Sequence, residues 1–214
     1  MEEKERASAI GAALAGIYPD APCALQAGGD PFKLLVMAIL SAQCTDARVN
    51  AVSGPLFEAY PDAAAMANSD PGHLEELVRS CGLYRTKAKN IRAASRILTE
   101  QYGGEIPREM ESLCALPGVG RKIANLMRGD LFGYGGIVAD THCIRLCGRM
   151  GFYPETVKDP LKVERIMSRL IPESEQADFC HRLVLFGREW CSARAPRCAE
   201  CPIRQLCRHH SGQE

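Results

Sequence analysis

The chain has 214 residues, of which 46% are hydrophobic, and its 26 basic and 26 acidic side chains cancel to a formal net charge of zero. This composition excludes an intrinsically disordered chain, and the zero net charge by itself is not evidence for a charged partner. The first residues are acidic, unlike those of a signal peptide, and the longest apolar run, residues 34–40, is far shorter than a membrane span. We therefore expect a soluble, cytoplasmic protein with no membrane partner.

Apolar residues recur at helical spacing along most of the chain, and no segment shows the alternation of a strand. The clearest examples, in chain order, are Ile10, Leu14 and Ile17; Val49, Val52 and Leu56; Leu74, Leu77 and Val78; Ile91, Ala94 and Leu98; Val163, Ile166 and Leu170; and Phe179, Leu183 and Phe186. Glycines separate these segments, and those at 133–136 mark a domain boundary. The sequence predicts an all-α protein of about ten short helices.

Basic residues cluster in two places in this neutral chain. Residues 79–96 contain no acidic side chain and six basic ones: Arg79, Arg85, Lys87, Lys89, Arg92 and Arg96. Residues 188–208 contain five arginines against two glutamates. Such runs form either a solvated face or a local binding site for a polyanion.

The segment LPGVGRK places Gly118 and Gly120 around Val119, between two segments of helical periodicity. Glycine allows a tight turn and a close approach to a ligand, and the N–H groups of a helix beginning near Arg121 can bind a phosphate without reading a base. Lys122 falls in the first turn of that helix, where its charge opposes the helix dipole. The segment is therefore either a phosphate-binding hairpin or a turn that only joins two helices.

Asp140 follows Lys122 by eighteen residues and directly precedes a run of helical periodicity, so it suits the N-cap of a helix. A lysine nucleophile must be partly deprotonated, and a nearby carboxylate could accept its proton or stabilise a cationic sugar. We predict that Asp140 caps a helix, and we hypothesise that it also faces Lys122 across a cleft.

The chain contains eleven cysteines, and an odd number without an export signal does not favour a disulfide framework. Seven stand singly in apolar surroundings and are predicted to be buried, namely Cys23, Cys44, Cys81, Cys114, Cys143, Cys147 and Cys180. The other four are separated by six, two and five residues, and they are Cys191, Cys198, Cys201 and Cys207. Four thiolates suit a tetrahedral zinc ion or an iron–sulfur cluster, and the wide outer spacings favour a [4Fe–4S] cluster.

The hairpin LPGVGRK, the aspartate of ADTH and the cysteine spacing together resemble the endonuclease III family of DNA glycosylases with AP-lyase activity. Two more segments, LLVMAILSAQCTD and GLYRTKAKNI, resemble further motifs of that family, so the resemblance extends over roughly residues 31–207. It implies a two-domain, all-α helix-hairpin-helix DNA glycosylase fold with a C-terminal iron–sulfur cluster loop. One helical domain, residues 25–133, would contain the helix-hairpin-helix, and residues 1–24 plus 134–214 would form the iron–sulfur cluster domain.

The resemblance also implies roles for individual residues. Lys122 would be the nucleophile and Asp140 the catalytic carboxylate. The residues expected to bind DNA are Gln43, Leu83, Gly118, Val119, Gly120, Arg121, Arg194 and Arg197. Gln43 and Leu83 would probe the duplex where the damaged nucleotide leaves it. The four clustered cysteines, Cys191, Cys198, Cys201 and Cys207, would be the ligands of the [4Fe–4S] cluster.

The activity that the resemblance implies is base-excision repair by a monomer acting on double-stranded DNA with damaged bases or abasic sites. The enzyme would remove oxidised pyrimidines and cleave the abasic site by β-elimination through a lysine Schiff base. The chain departs from the usual family pattern at Ile123, Gly129 and Ala139, near the support of the pocket.

Three alternatives remain at this point. One is an adenine-specific glycosylase, which shares the fold and cluster but typically lacks a lysine at the position of Lys122. Another is a glycosylase for alkylated or mismatched bases. The third is a non-catalytic iron–sulfur protein that binds DNA or transfers electrons, and the presence of both Lys122 and Asp140 argues against it because binding alone needs neither.

Overall fold

The protein is described by a computed structural model over residues 2–211, except for the side chains of residues 210 and 211. Within that range the chain forms twelve α-helices and no strand, which confirms the all-α prediction. They are α1 (Glu3–Ile17), α2 (Pro31–Leu40), α3 (Asp46–Ala59), α4 (Ala63–Ala67), α5 (Pro71–Val78), α6 (Tyr84–Tyr102), α7 (Met110–Cys114), α8 (Arg121–Phe132), α9 (Thr141–Arg149), α10 (Pro160–Leu170), α11 (Gln176–Glu189) and α12 (Arg208–Ser211). None of these helices has the length and apolar character needed to cross a membrane.

The chain divides into two compact units. The first, Ala24–Phe132, contains α2 to α8, and we call it the hairpin unit. The second, which we call the cysteine unit, consists of the described parts of Met1–Cys23 and Gly133–Glu214 and contains α1 and α9 to α12.

In the hairpin unit, α2 is almost wholly buried. Asp30 caps it by accepting a hydrogen bond from the Lys33 N–H, and Pro31 occupies the first helical position, where its missing N–H costs nothing. Eight of its ten residues are buried, so the apolar run noted in the sequence is a core helix. The helix ends at Leu40, three residues before Gln43.

The core of the cysteine unit is built from α1, α9, α10 and α11. Its large buried side chains include Ile10, Leu14, Leu146, Val163, Met167, Phe179, Leu183 and Phe186. Arg6 of α1 is buried too, and its guanidinium donates to the carbonyl groups of Met150, Gly151 and Leu206. Since Leu206 precedes Cys207, these bonds attach the N-terminal helix to the segment that carries the last clustered cysteine.

The prediction that seven scattered cysteines are buried is right for four of them and wrong for three. The buried ones are Cys81, Cys143, Cys147 and Cys180. Cys114 is exposed, and Cys23 and Cys44 are half-buried. Cys114 is the last residue of α7, which has only five residues, so hydrophobic periodicity does not define its buried side.

Candidate active site and metal centre

The predicted hairpin connects α7 to α8 in the hairpin unit. Gly118 has a φ of +84°, a conformation that residues with a side chain rarely adopt. A Cβ at this position would also lie 3.1 Å from Asn90 and 3.2 Å from Ile39. Gly118 thus allows the hairpin to approach α2 and α6 closely, which fixes the place where α8 begins.

Two backbone N–H groups of the hairpin are available to a ligand. Val119 is buried, and its N–H donates to the carbonyl of Leu116 at 3.0 Å. Gly118 and Gly120 are exposed, and their N–H groups donate to no acceptor among the described residues. Of the hairpin residues predicted to bind DNA, Val119 therefore shapes the turn, and the two glycines provide the donors.

Lys122 is the second residue of α8, which begins at Arg121 as the sequence predicted. Its side chain is exposed, whereas the next two residues, Ile123 and Ala124, are buried. The burial of Ile123 and Ala124 anchors the first turn of α8 in the core. The amine of Lys122 is therefore carried by a fixed backbone and remains accessible from solvent.

Gln43 and Leu83 have unusual backbone conformations. With φ values of +53° and +47°, they are the two residues other than glycine with positive φ in the described chain. Each such conformation costs on the order of 1–3 kcal/mol and persists only where the surroundings enforce it. Both side chains are exposed, and Leu83, at 60%, is the most exposed large hydrophobic residue of residues 2–211.

The basic cluster at residues 79–96 is smaller than the sequence suggested. Lys87 is buried, with 4% of its surface exposed, and its ammonium donates to the carbonyl groups of Leu40 and Cys81 at 2.8 and 2.7 Å. Arg85 lies 3.8 Å from a carboxylate oxygen of Glu75. Lys87 therefore belongs to the interior, and an acidic neighbour offsets the charge of Arg85.

Asp140 lies in the cysteine unit and caps α9, which confirms the predicted N-cap. Its Oδ1 accepts a hydrogen bond from the Cys143 N–H at 2.7 Å, and the residue is half-buried. A hydrogen bond with Cys147, together with burial, holds the pKa of the Cys143 thiol well above its usual range. The Cys143 thiol therefore stays protonated and adds no negative charge beside the carboxylate of Asp140.

The four clustered cysteines line one pocket, together with Trp190, Ile203 and residues of α9. No three of their sulfur atoms lie within 4.8 Å of one another in the described chain. A single zinc ion, with Zn–S bonds of about 2.3 Å, would need sulfur atoms about 3.8 Å apart. The chemistry and spread of these thiols fit a metal cluster better than a single ion.

Two arginines of α9 hold the segment that begins at Cys191. Arg149 donates to the carbonyl groups of Ser192 and Ala193 at 2.7 and 2.8 Å, and to the sulfur of Cys191 at 3.3 Å. Arg145 donates to the carbonyl of Cys191 at 3.1 Å. The sequence analysis missed both, although their spacing of four residues places them on one face of the helix.

The two arginines predicted to bind DNA from the cysteine loop differ in their surroundings. Arg194 is exposed. Arg197 is exposed as well, but its guanidinium forms an ion pair with Glu200 at 2.8 Å and lies 4.7 Å from the centre of the Trp190 ring. Arg194 is thus the stronger candidate for a phosphate contact, while Arg197 also holds the loop.

A family model of the HhH-GPD superfamily of base excision DNA repair proteins matches residues 36–173. Endonuclease III of a Synechocystis strain is 45% identical over 206 residues, which are 96% of this chain and 93% of that relative. The chain belongs to the endonuclease III family. Endonuclease III of Bacillus subtilis is 43% identical over 90% of this chain and 87% of its own length. As a member of this family, the protein is a DNA glycosylase of base excision repair.

Solved structures of endonuclease III agree with this membership. A non-covalent endonuclease III–DNA complex matches with a TM-score of 0.92 and 40% identity, covering 100% of this chain and 99% of the other. A trapped covalent endonuclease III–DNA intermediate matches with a TM-score of 0.91 and the same identity and coverage. A thermostable thymine-DNA glycosylase, at 20% identity and a TM-score of 0.87 over 97% of this chain and 98% of its own, shares the fold.

Proposed function

We propose that this endonuclease III relative is a bifunctional enzyme that removes oxidised pyrimidines from double-stranded DNA and then cleaves the abasic site. Such an enzyme differs from one that acts on undamaged DNA in the state of the base that it extrudes. Damaged bases stack and pair poorly, so extruding them from the duplex costs less than the few kcal/mol needed for an intact base. This cost difference favours oxidised bases before any contact with the base itself.

Lys122 is the proposed nucleophile. Its neutral amine attacks C1′ of the extruded nucleotide, so that a C–N bond forms while the glycosidic bond breaks and the base leaves with the bonding electrons and a proton. Opening of the sugar ring gives a protonated Schiff base, which acidifies the C2′ hydrogen. Loss of that proton expels the 3′ phosphate by β-elimination, and water then releases Lys122.

Asp140 is the proposed catalytic carboxylate. Positive charge develops on the sugar as the base departs, and a fixed negative charge nearby stabilises that state. The same carboxylate can accept a proton from the lysine amine and pass it on. Because the hydrogen bond to the Cys143 N–H fixes Asp140, little reorganisation is needed when the charge develops.

The DNA contacts are proposed to come from three places. Gly118 and Gly120 would donate their N–H groups to a phosphate, with Arg121 beside them, and would hold the strand without reading sequence. Gln43 and Leu83 would occupy the space left by the extruded nucleotide. Their strained backbone and exposed side chains support this role, because strain of this kind concentrates at functional sites.

The four clustered cysteines are proposed to bind a [4Fe–4S] cluster whose role is structural. A cluster bound there would fix the loop that carries Arg194 and Arg197 and thereby present their charges to the DNA backbone. No three of the four sulfur atoms lie within 4.8 Å of one another, which supports this assignment over a single zinc ion.

The observation that carries the proposed reaction is the exposed amine of Lys122 directly after a glycine hairpin with two available N–H donors. Borohydride reduces a Schiff base to a stable amine, so it should trap a covalent complex with a duplex that contains thymine glycol or an abasic site. Lys122→Gln should abolish both trapping and strand cleavage while lesion binding is retained. Lys158→Gln, which removes another exposed lysine, should trap as the unsubstituted protein does.

Two results would count against this proposal. Trapping by Lys122→Gln at the unsubstituted rate would identify another amine as the nucleophile. Absence of trapping by cluster-loaded, unsubstituted protein on both substrates would remove the bifunctional mechanism and favour a glycosylase that does not use a lysine.

A further inference from the structure

Two turns of the hairpin unit present the strained residues described above. We call residues 41–45 the Gln43 turn and residues 81–84 the Leu83 turn. The first follows the end of α2, and the second follows a short 3-10 helix, Arg79–Cys81, and leads into α6. They are about forty residues apart in sequence, so nothing local fixes their separation.

The buried side chain of Lys87 connects these two turns through the residues where they begin. Its ammonium donates at once to the carbonyl of Leu40, the last residue of α2, and to the carbonyl of Cys81, the last residue of the 3-10 helix. Carbonyl groups at helix ends lack partners within the helix and carry partial negative charge, so a buried ammonium satisfies both groups. One side chain therefore binds the chain three residues before Gln43 and two residues before Leu83.

A second contact joins the turns at the same level. The Cys81 thiol lies close to Cys44, which directly follows Gln43. Burial, followed by the neighbouring Cys44, raises the pKa of the Cys81 thiol to about 11, so it stays protonated and uncharged beside Cys44. The two turns therefore meet at these cysteines, and the hydrogen bonds of Lys87 hold them together.

We propose that Lys87 is a positioning residue that makes the Gln43 turn and the Leu83 turn act as one wedge when the duplex is opened. This role rests on the proposed function, in which Gln43 and Leu83 fill the space of the extruded nucleotide. A positive φ at both residues persists only if the surrounding structure enforces it, and Lys87 is the charged group that binds the base of each turn. Without it, both turns can relax, and the two side chains no longer enter the stack together.

The first experiment tests, in the protein without DNA, whether Lys87 holds the two turns together. Lys87→Met removes the ammonium but keeps an unbranched apolar chain. The Cys44 amide donates to the Ser41 carbonyl within the Gln43 turn, and the Gly82 amide of the Leu83 turn donates to the Arg79 carbonyl of the 3-10 helix. Hydrogen exchange at both amides should become about 10- to 100-fold faster. Lys89→Met, an exposed lysine on the same helix, should leave both exchange rates unchanged. Unchanged exchange in either turn of Lys87→Met would overturn the proposal.

The second experiment separates positioning from general damage to the fold. In the otherwise unsubstituted protein, Lys87→Met should slow excision of thymine glycol from a duplex by about tenfold. In a protein already carrying Gln43→Ala and Leu83→Ala, the same change should slow excision less than about twofold further, because the side chains it positions are gone. An equal loss in both backgrounds would show a merely structural role and overturn the proposal.

Failure of the proposed function is distinguishable from failure of this inference. If the unsubstituted protein excises no base, the proposed function fails and the wedge role fails with it, whereas exchange at Cys44 and Gly82 still decides whether Lys87 ties the turns. If Lys87→Met does not fold, Lys87→Gln serves instead. Its side chain is uncharged and one bond shorter, so it weakens both hydrogen bonds, and the same changes in exchange and excision are expected.

Discussion

Asp140 combines a structural and a proposed chemical role in one side chain. Its carboxylate accepts the hydrogen bond that begins α9, and its negative charge is assigned to the stabilisation of the positive charge that develops on the sugar as the base departs. These two roles depend on different properties, because the cap needs an oxygen acceptor and the chemistry needs a charge. A substitution that keeps one property and removes the other can therefore separate them.

Asp140→Asn keeps an oxygen acceptor at the cap but removes the charge. Asn caps helices about as well as Asp, so the free energy of unfolding should change by less than about 1 kcal/mol. Base release should slow by roughly 10²- to 10³-fold, as expected for the loss of one positioned charged group. Urea unfolding and single-turnover excision of thymine glycol would measure the two effects.

Asp140→Ala is the matched control, because it removes both the cap and the charge. It should slow excision as much as Asp140→Asn does and destabilise the protein by a further 0.5–2 kcal/mol, roughly the value of a cap. Excision by Asp140→Asn within threefold of the unsubstituted rate would contradict the assigned role of the charge.

Single residues show how far sequence reasoning reaches. The cap at Asp140 was predictable because an N-cap depends on residues adjacent in sequence. The burial of Lys87 was not, because one of its partners is the carbonyl of Leu40, 47 residues away. The positive φ of Gln43 and Leu83 could not be predicted either, since that conformation is typical of glycine and asparagine rather than of glutamine or leucine.

At the scale of elements, hydrophobic periodicity located the longer helices, whereas the loop that carries the clustered cysteines depends on other contacts. In that loop, Ile203 is buried in the core of the cysteine unit, and α9 contributes hydrogen bonds to its first residues. Such side-chain-to-backbone bonds leave no periodic signal in the sequence. The loop is therefore anchored by α9 on one side and by Ile203 on the other, before any metal is considered.

Arg149→Met tests this anchoring. It removes the hydrogen bonds to Ser192, Ala193 and the sulfur of Cys191 and leaves two carbonyl groups without their donor. Each lost bond to a charged group is worth about 1.5–3 kcal/mol, so the loop should loosen and lose metal. We expect iron and sulfide per chain to fall to less than about half of the unsubstituted content, measured after anaerobic purification.

The control for this change is Arg165→Met, which removes an exposed arginine of α10 and should leave the metal content unchanged. Full iron and sulfide content in Arg149→Met would show that the loop holds its metal without the hydrogen bonds of Arg149. Stoichiometric zinc without sulfide in the unsubstituted protein would instead overturn the assignment of the cluster.

At the scale of the whole molecule, the charge balance limits how the protein can bind a polyanion. The formal net charge is zero, so DNA affinity must come from local groups of basic residues. Several of these are already engaged, since Lys87 is buried, Arg85 lies near Glu75, and Arg197 forms an ion pair with Glu200. Arg194 is exposed and carries no ion pair among the described residues, so it should contribute most to phosphate binding from the cysteine loop.

Arg194→Ala should therefore weaken binding to every duplex sequence alike and reduce the salt dependence of binding. Each phosphate contact contributes about 0.9 to the slope of log affinity against log salt, because binding releases a condensed counterion. The slope for Arg194→Ala should fall by about one unit, whereas Arg197→Ala should lower it less, because Glu200 already neutralises part of that charge. Fluorescence anisotropy over a series of salt concentrations measures both slopes, and Arg165→Ala, on the exposed side of α10, is the control for charge alone.

An unchanged slope for Arg194→Ala with full cluster content would mean that the loop faces away from the DNA. Affinity in this neutral protein would then have to come from the hairpin and the remaining arginines of α6.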